Sequence, residues 1–459
     1  MYDVVVVGGG LAGMSAAWKT RHLNILVLEK EDRIGGRLYS ENRGPYWLNW
    51  GGHVFGGPDS EAGKLLSSVG VDAAPVPGNL TALAMNGKLI TDGRVELLPF
   101  RIPMSWASRL AMIKAGAKVR LAVAQYGRLV APRGEEDYRV RQQRIYDYKS
   151  QESFAEYIGT LPEDAMSMFK PTVTRSAGEM HQVSAGAGIG YFNLVWDKSG
   201  GLGRNIVGGA STLPETIAAG LGERVVRGAQ ATQVIDHGEH VEITYTDAAG
   251  VSVTVQARHV IMATPAPITR AVVCNLDADL DAALAEIKYG PYVSAAFLTN
   301  EPGPAPWDDC YAIATPKRSF NVAFNMSSLV RGAELSRQPG SSIMVFSPGD
   351  LARKLIDQDD ETILETYLQD LGAVFPSLPE HVIERTVQRW PLGLAYNYPG
   401  RGKIQPTLMG HYGRLHLAGD YLGSLYTETS IRTGTDAGQA VLSAIARDRS
   451  FTPSMNGNR

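Results

Sequence analysis

Four consecutive valines, Val4 to Val7, open the chain. A second apolar run, Ile25 to Leu28, follows after the turn Gly8-Gly9-Gly10-Leu11-Ala12-Gly13 and a stretch of helical spacing. Unbroken apolar runs read as strands buried on both faces, as in a parallel sheet, rather than as half-exposed alternating strands. The opening is therefore a strand, a glycine turn, a helix and a second strand. Further strands are predicted within Glu223 to Val234, over His240 to Thr246 and over His259 to Ala263. Others fall at Val293 to Thr299, Tyr311 to Thr315, Asn321 to Asn325 and Ser342 to Phe346. Helices are predicted over Ser153 to Phe169 and Asp360 to Phe375. Between Arg94 and Arg133, Trp106, Leu110, Ile113, Ala117 and Leu121 recur at helical spacing among many basic residues and the single acid Glu96. That pattern predicts a helix with one apolar and one basic face, capping a second domain; contact with a membrane surface is the alternative.

The glycine turn adds chemistry to the pattern. Gly8, Gly10 and Gly13 form G-x-G-x-x-G between a strand and a helix. Gly8 suits the tight turn, Gly10 lets a pyrophosphate approach the backbone, and Gly13 lets the helix pack on the strand. The phosphates would meet free N–H groups at a helix N-terminus. Glu29, about twenty residues on, stands where a carboxylate accepts hydrogen bonds from an adenosine ribose. Together these residues predict a dinucleotide site.

Composition narrows the class. With 459 residues, two domains are expected; 44% apolar and 20% charged residues with a net charge of −3 describe a globular protein and argue against nucleic-acid binding. Cys274 and Cys310 form no C-x-x-C pattern, so neither a disulfide framework nor a metal site is expected. The nucleotide-binding strand starts at Tyr2 with no basic, apolar leader before it, and no long apolar run suggests a membrane span, so a cytoplasmic location is expected.

Glu29-Lys30-Glu31-Asp32-Arg33-Ile34-Gly35-Gly36-Arg37 continues the fingerprint. With G-x-G-x-x-G it resembles the flavin amine oxidase superfamily, which includes monoamine and polyamine oxidases, protoporphyrinogen oxidase and phytoene desaturases. The resemblance implies FAD and an α/β fold: a glutathione-reductase-like FAD-binding Rossmann domain (1–80, 200–285 and 388–449) interleaved with an α+β substrate domain (81–199 and 286–387), then a disordered tail (450–459). The implied FAD contacts are Gly8, Gly10, Leu11, Ala12, Gly13, Glu29, Lys30, Gly35, Gly36 and Arg37 in the first segment, and Gly51, Gly52 and His53 in the next. Val234 and Ala263 near the adenosine, Trp390, and Gly419, Asp420, Tyr426 and Thr427 near the C-terminus complete the set. The usual cysteine for covalent flavin attachment is absent, which implies noncovalent FAD.

Catalytic candidates follow from the same resemblance. Tyr426 matches one wall of an aromatic cage, with Tyr396 or Tyr398 as the other, and Tyr191 and Phe192 are candidates for the substrate pocket. His53 is a base or substrate ligand, or else a hydrogen-bonded packing residue. Relatives commonly carry a lysine in the strand after Gly290, bonded through water to the flavin; Ser294 stands there, and Lys288 lies before that glycine. The missing lysine tilts the expectation toward dehydrogenation or desaturation of a C–C bond beside a carbonyl in an apolar substrate. The alternative is an amine oxidase converting C–N to imine, and a non-redox flavin mutase is less favoured. The partners expected are a small-molecule substrate and oxygen or another electron acceptor.

Overall fold

The computed structural model describes residues 1–76, 82–93, 95–196, 203–331, 337–424 and 426–450; the side chains of Tyr426, Arg449 and Ser450, and the expected tail 451–459, lie outside the described residues. Two seven-stranded sheets organise it. In the first, Tyr2–Val7 pairs in parallel with Ile25–Leu28 on one side and with Ser252–Met262 on the other. Val4 and Val6 face one apolar core while Val5 and Val7 face another, so this strand is buried on both sides. Strand Ser252–Met262 is long enough to serve two neighbours along one edge. Its first half pairs antiparallel with Val241–Thr246, and its last residues pair in parallel with Leu415–Leu417. The C-terminal segment thereby reaches the carboxyl end of the first strand.

The second sheet runs in the order Val382–Ala395, Tyr289–Thr299, Ser342–Pro348, Val322–Asn325, Ala312–Ala314, Ala82–Met85, Lys88–Ile90. One face carries Val293, Ala295, Phe297, Ile343 and Val345 against Ile363, Leu364, Tyr367 and Leu371 of helix Asp360–Val374. The other face presents Phe324, Met344 and Phe346 toward Trp47. Residues 388–395 stay in this sheet, paired with Tyr289–Thr299, past the expected boundary at 388.

Two helical expectations change. Ser153 to Phe169 is not one helix: Phe154–Ile158 ends at Gly159, at φ +80°, and Glu163–Thr174 begins after Pro162. A left-handed glycine and a proline at the restart explain the break. Helix Trp106–Val130 forms as predicted but is rotated from the expected orientation. It buries Met112, Ala115, Val119, Ala122 and Tyr126, and leaves Trp106 71%, Leu110 64% and Leu121 69% exposed. The reason is close packing against Ala185–Trp196, where a Cβ at Gly190 would come within 2.8 Å of nothing but the Tyr126 hydroxyl, at 2.7 Å. Small side chains permit that approach; the large apolar ones face outward.

Candidate active site

The glycine turn lies at the carboxyl end of the first strand. Gly8 adopts φ +104°, and a Cβ there would sit 2.8 Å from the Ala263 carbonyl oxygen. A Cβ on Gly13 would collide with the Gly8 carbonyl, which explains the close helix packing. Gly10 differs: a Cβ there would meet nothing within 4 Å. It caps helix Leu11–Lys19, whose N-terminus receives no side-chain hydrogen bond. Space beside Gly10 and uncapped N–H groups form a cradle suited to a pyrophosphate. Buried Glu29 accepts from the N–H of Gly9 at 2.7 Å and of Glu31 at 2.9 Å, which fixes its carboxylate beside the turn. Gly35 donates its N–H to the Gly9 carbonyl at 2.9 Å, drawing the second glycine pair onto the first.

Arg37 joins the two ends of the chain. Its guanidinium donates to Asp420 Oδ2 at 2.8 Å and Oδ1 at 2.7 Å, and to the Gly393 carbonyl at 3.0 Å. Its own carbonyl accepts from Gly52 N–H at 2.9 Å, and a Cβ on Gly51 would strike that carbonyl. Ala263 N–H donates to Val7 at 2.8 Å, and Gly419 N–H to Thr433 Oγ1 at 3.0 Å. Thr427 Oγ1 donates to the Val54 carbonyl at 3.3 Å, so the helix Tyr426–Ser450 begins against the Gly51–Val54 segment.

His53 is buried, with Nδ1 3.0 Å from the Gly51 carbonyl and 3.1 Å from Asn49 Nδ2. The Gly51 carbonyl can only accept, and Asn49 Nδ2 has two other acceptors for its protons, the same carbonyl at 2.9 Å and the Met344 sulfur at 3.1 Å, so a proton on Nδ1 and a lone pair on Nε2 satisfy the cluster. Burial pushes its pKa down from 6.5 to about 4, opposed by the Gly51 hydrogen bond and assisted by the positive charge of Arg175. The ring is therefore neutral, and Nε2 has no partner. Its edge meets Phe324 at 4.7 Å between centroids; Phe324 in turn contacts Tyr311 at 5.6 Å and Phe346 at 5.9 Å, and Phe346 contacts Tyr292 at 5.5 Å. The face of the second sheet toward Trp47 is thus an aromatic wall ending on a neutral imidazole.

Other candidates lie elsewhere. Tyr398 holds its ring under the ammonium of exposed Lys288, 4.4 Å from the centroid, and donates to exposed Glu286 at 3.4 Å; burial raises its pKa to about 12. Tyr398 is therefore directed at a surface pair, and Lys288 does not replace the missing strand lysine. Ser294 is buried and donates to the Trp50 carbonyl at 2.7 Å while accepting from Trp390 Nε1 at 3.1 Å. Tyr396 is core, packed on Gly178. Phe192 is core as well, stacked on Phe154 at 5.7 Å, whereas Tyr191 lines a cavity of about 20 Å³ with Tyr126, Asn397 and Ser424. Lys30 is exposed and paired with Glu31 at 2.9 Å. Val234 does not run beside Glu29: it is core, and its carbonyl accepts from Cys274. The backbone beside Glu29 is Val226 to Ala229, with Glu29 N–H donating to Val226 and Ala229 N–H to Glu29. The short strand Val225–Val226 sits at the sheet edge, and its register puts Val234 farther along the chain. The Tyr426 side chain falls outside the described residues.

The structure adds Tyr292, Tyr311, Asn205 and Arg175 to the candidates. None belongs to a motif; Tyr292 and Tyr311 flank strand runs that read as ordinary core, and only the folded sheet brings them to His53. The open cradle at Gly10, the uncapped helix and the fixed Glu29 carboxylate fit the adenosine and pyrophosphate of FAD, with the Gly51–His53 segment leading on from Arg37.

Residues 11–442 match the family described as flavin containing amine oxidoreductase. Over 481 residues the chain is 25% identical to amine oxidase [flavin-containing] B of Canis lupus familiaris, covering 97% of this chain and 87% of that protein. The fold is similar to cyclohexylamine oxidase from Brevibacterium oxydans IH-35A, with a TM-score of 0.75 at 17% identity over 97% of this chain and 100% of that one. It is also similar to putrescine oxidase bound to putrescine, with a TM-score of 0.76 at 15% identity over 96% and 99% of the two chains.

Proposed function

The chain belongs to the flavin-containing amine oxidoreductases and is an FAD-dependent oxidoreductase, and from that premise we propose that it oxidises an amine, taking C–N to imine. The relatives it is similar to are named as amine oxidases, which favours this reading over desaturation beside a carbonyl. The observation that carries it is the state of His53, whose buried imidazole has a pKa of about 4 and an unpartnered Nε2. Desaturation beside a carbonyl needs a base strong enough to remove an α-proton. His53 is too weak for that, and burial raises the pKa of Tyr396 and Tyr398 so that both phenols stay protonated; the Tyr426 side chain lies outside the described residues. A neutral amine needs no such base, only an acceptor to orient an N–H, and Nε2 is one.

Bound FAD supplies the hydride acceptor. Gly10, the helix N-terminus and Glu29 would hold its adenosine and pyrophosphate end, and the Gly51–His53 segment and the aromatic wall would line its reacting end. FAD is held noncovalently, so acid precipitation releases it. Anaerobic mixing of the holoenzyme with amines and with alicyclic ketones tests the reaction: bleaching of the flavin by an amine alone is the expected result, and bleaching by a ketone alone would reverse the assignment. With Ser294 in place of the strand lysine, reoxidation by air is expected to be slower than by a quinone.

A further inference from the structure

Arg175 follows the last residue of helix Glu163–Thr174, and its side chain is only partly exposed. Among the described residues its guanidinium has no carboxylate, carbonyl or aromatic partner. The turn that carries it is wedged in place: the Tyr292 hydroxyl donates to the Arg175 carbonyl, a Cβ on Gly290 would strike the Ala177 carbonyl, and Gly178 lies against the Tyr396 ring. Its positive charge is felt by His53, Tyr292 and Tyr311, and Tyr292 lies within reach of Arg37 and Tyr191 as well. Through the Tyr292 hydroxyl on its carbonyl, and the contacts of Tyr292 with Phe346, Phe346 with Phe324 and Phe324 with His53, Arg175 belongs to the aromatic wall beside the flavin segment.

The same wall holds buried polar atoms with no partner. His53 Nε2 is one. Asn205 Oδ1 is another; its amide donates to the Tyr311 hydroxyl at 3.1 Å. A partly buried guanidinium without an anion is costly to keep, as are buried acceptors without donors. One ligand that brings a carboxylate and an N–H donor satisfies the cation and one of the two acceptors.

We propose that Arg175 binds a carboxylate on the substrate, so that the preferred substrate is an amine bearing a carboxyl group, its nitrogen toward His53 Nε2. This rests on the amine reading above for the nitrogen, but not for the anion. Arg175 is then a specificity-determining residue: the guanidinium can grip the carboxylate with two parallel hydrogen bonds. An amine without that group leaves the cation unpaired.

The first test is titration of the holoenzyme with benzoate, a carboxylate without an amine, read from the shift of the flavin spectrum. Saturable binding is expected, weakened roughly 10- to 100-fold in Arg175→Met and partly recovered in Arg175→Lys. Identical curves for the wild type and Arg175→Met would overturn the proposal. The second compares anaerobic flavin reduction by phenylalanine and by phenethylamine. Wild type is expected to prefer phenylalanine by roughly tenfold or more in kcat/KM, and Arg175→Met to lose that preference through KM. Equal rates in the wild type would sink the carboxylate preference while leaving amine oxidation standing. Reduction by neither, with benzoate binding intact, would count against the amine reading and leave the anion site in place.

Discussion

Arg37 and Asp420, 383 positions apart, are joined by two hydrogen bonds of 2.8 and 2.7 Å, with the Asp420 side chain 6% exposed and that of Arg37 33%. This pair ties the loop after the nucleotide turn to the segment entering the C-terminal helix. Replacing Asp420 by Ala leaves a partly desolvated guanidinium unpaired. A fully buried pair broken this way costs about 3–5 kcal/mol, and the exposure of Arg37 reduces that to about 2 kcal/mol. Urea unfolding of Asp420→Ala should show this loss, together with poorer FAD retention on desalting. An unchanged midpoint and full FAD content would remove the pair from both roles.

Gly10 and Gly13 separate binding from folding. Alanine at Gly10 meets no protein atom within 4 Å and its φ of −70° is ordinary, so Gly10→Ala should fold with wild-type stability yet lose most of its FAD. Gly13→Ala drives a methyl into the Gly8 carbonyl and should lose about 1–3 kcal/mol before any cofactor is added. Thermal melts of the apoprotein, followed by FAD titration, distinguish the two.

Three histidines set the acid limit, His53 and His259 buried and His416 half-buried. His53 and His259 have pKa values of about 4 and His416 of about 3, each lowered first by burial from the ordinary 6.5. His259 Nδ1 and His416 Nε2 lie 3.3 Å apart, so each also opposes protonation of its neighbour. Below pH 6.5 the unfolded chain binds protons that the folded chain refuses. Stability is therefore full above that value and declines as pH falls toward 4 and 3. The Tm should drop across this window, and His416→Gln should flatten the slope; an identical slope would take the pair out of the account.

Helix Trp106–Val130 offers Trp106, Leu110, Ile113 and Leu121 to solvent, with Lys114 exposed among them and the Arg109 guanidinium 4.6 Å from the Trp106 ring. An apolar face set among cations suits the surface of an anionic bilayer. No described helix is long and apolar enough to cross one. Cosedimentation with anionic phospholipid vesicles at low salt is expected, falling roughly tenfold in Trp106→Glu/Leu121→Glu; absence of binding by the wild type would end this reading.

Local rules carried the nucleotide half of the protein. The valine run, the three glycines and Glu29 are neighbours in sequence, and the contacts of Gly13 with the Gly8 carbonyl and of Glu29 with the Gly9 N–H lie within one strand-turn-helix unit, whereas Gly8 also meets Ala263 of a distant strand. Where a position depended on another element, the sequence was a weaker guide. Val234 is a valine in a strand either way, and only the sheet register shows that Val226 to Ala229 run beside Glu29. Trp106 and Leu110 have helical spacing whether they face in or out, and the outcome turned on the closer fit of Ala115, Val119 and Ala122.

The sequence by itself determined the strand-turn-helix that suits FAD, because glycine conformation and apolar runs act over short distances. Tertiary structure decided the end where we place the reaction. Tyr398 and Lys288 were drawn to the surface, Ser294 was locked between two tryptophans, and His53 was left neutral with one free nitrogen. Arg175, unmarked in the sequence, became a candidate because partial burial and the absence of a partner among the described residues are properties of the folded chain.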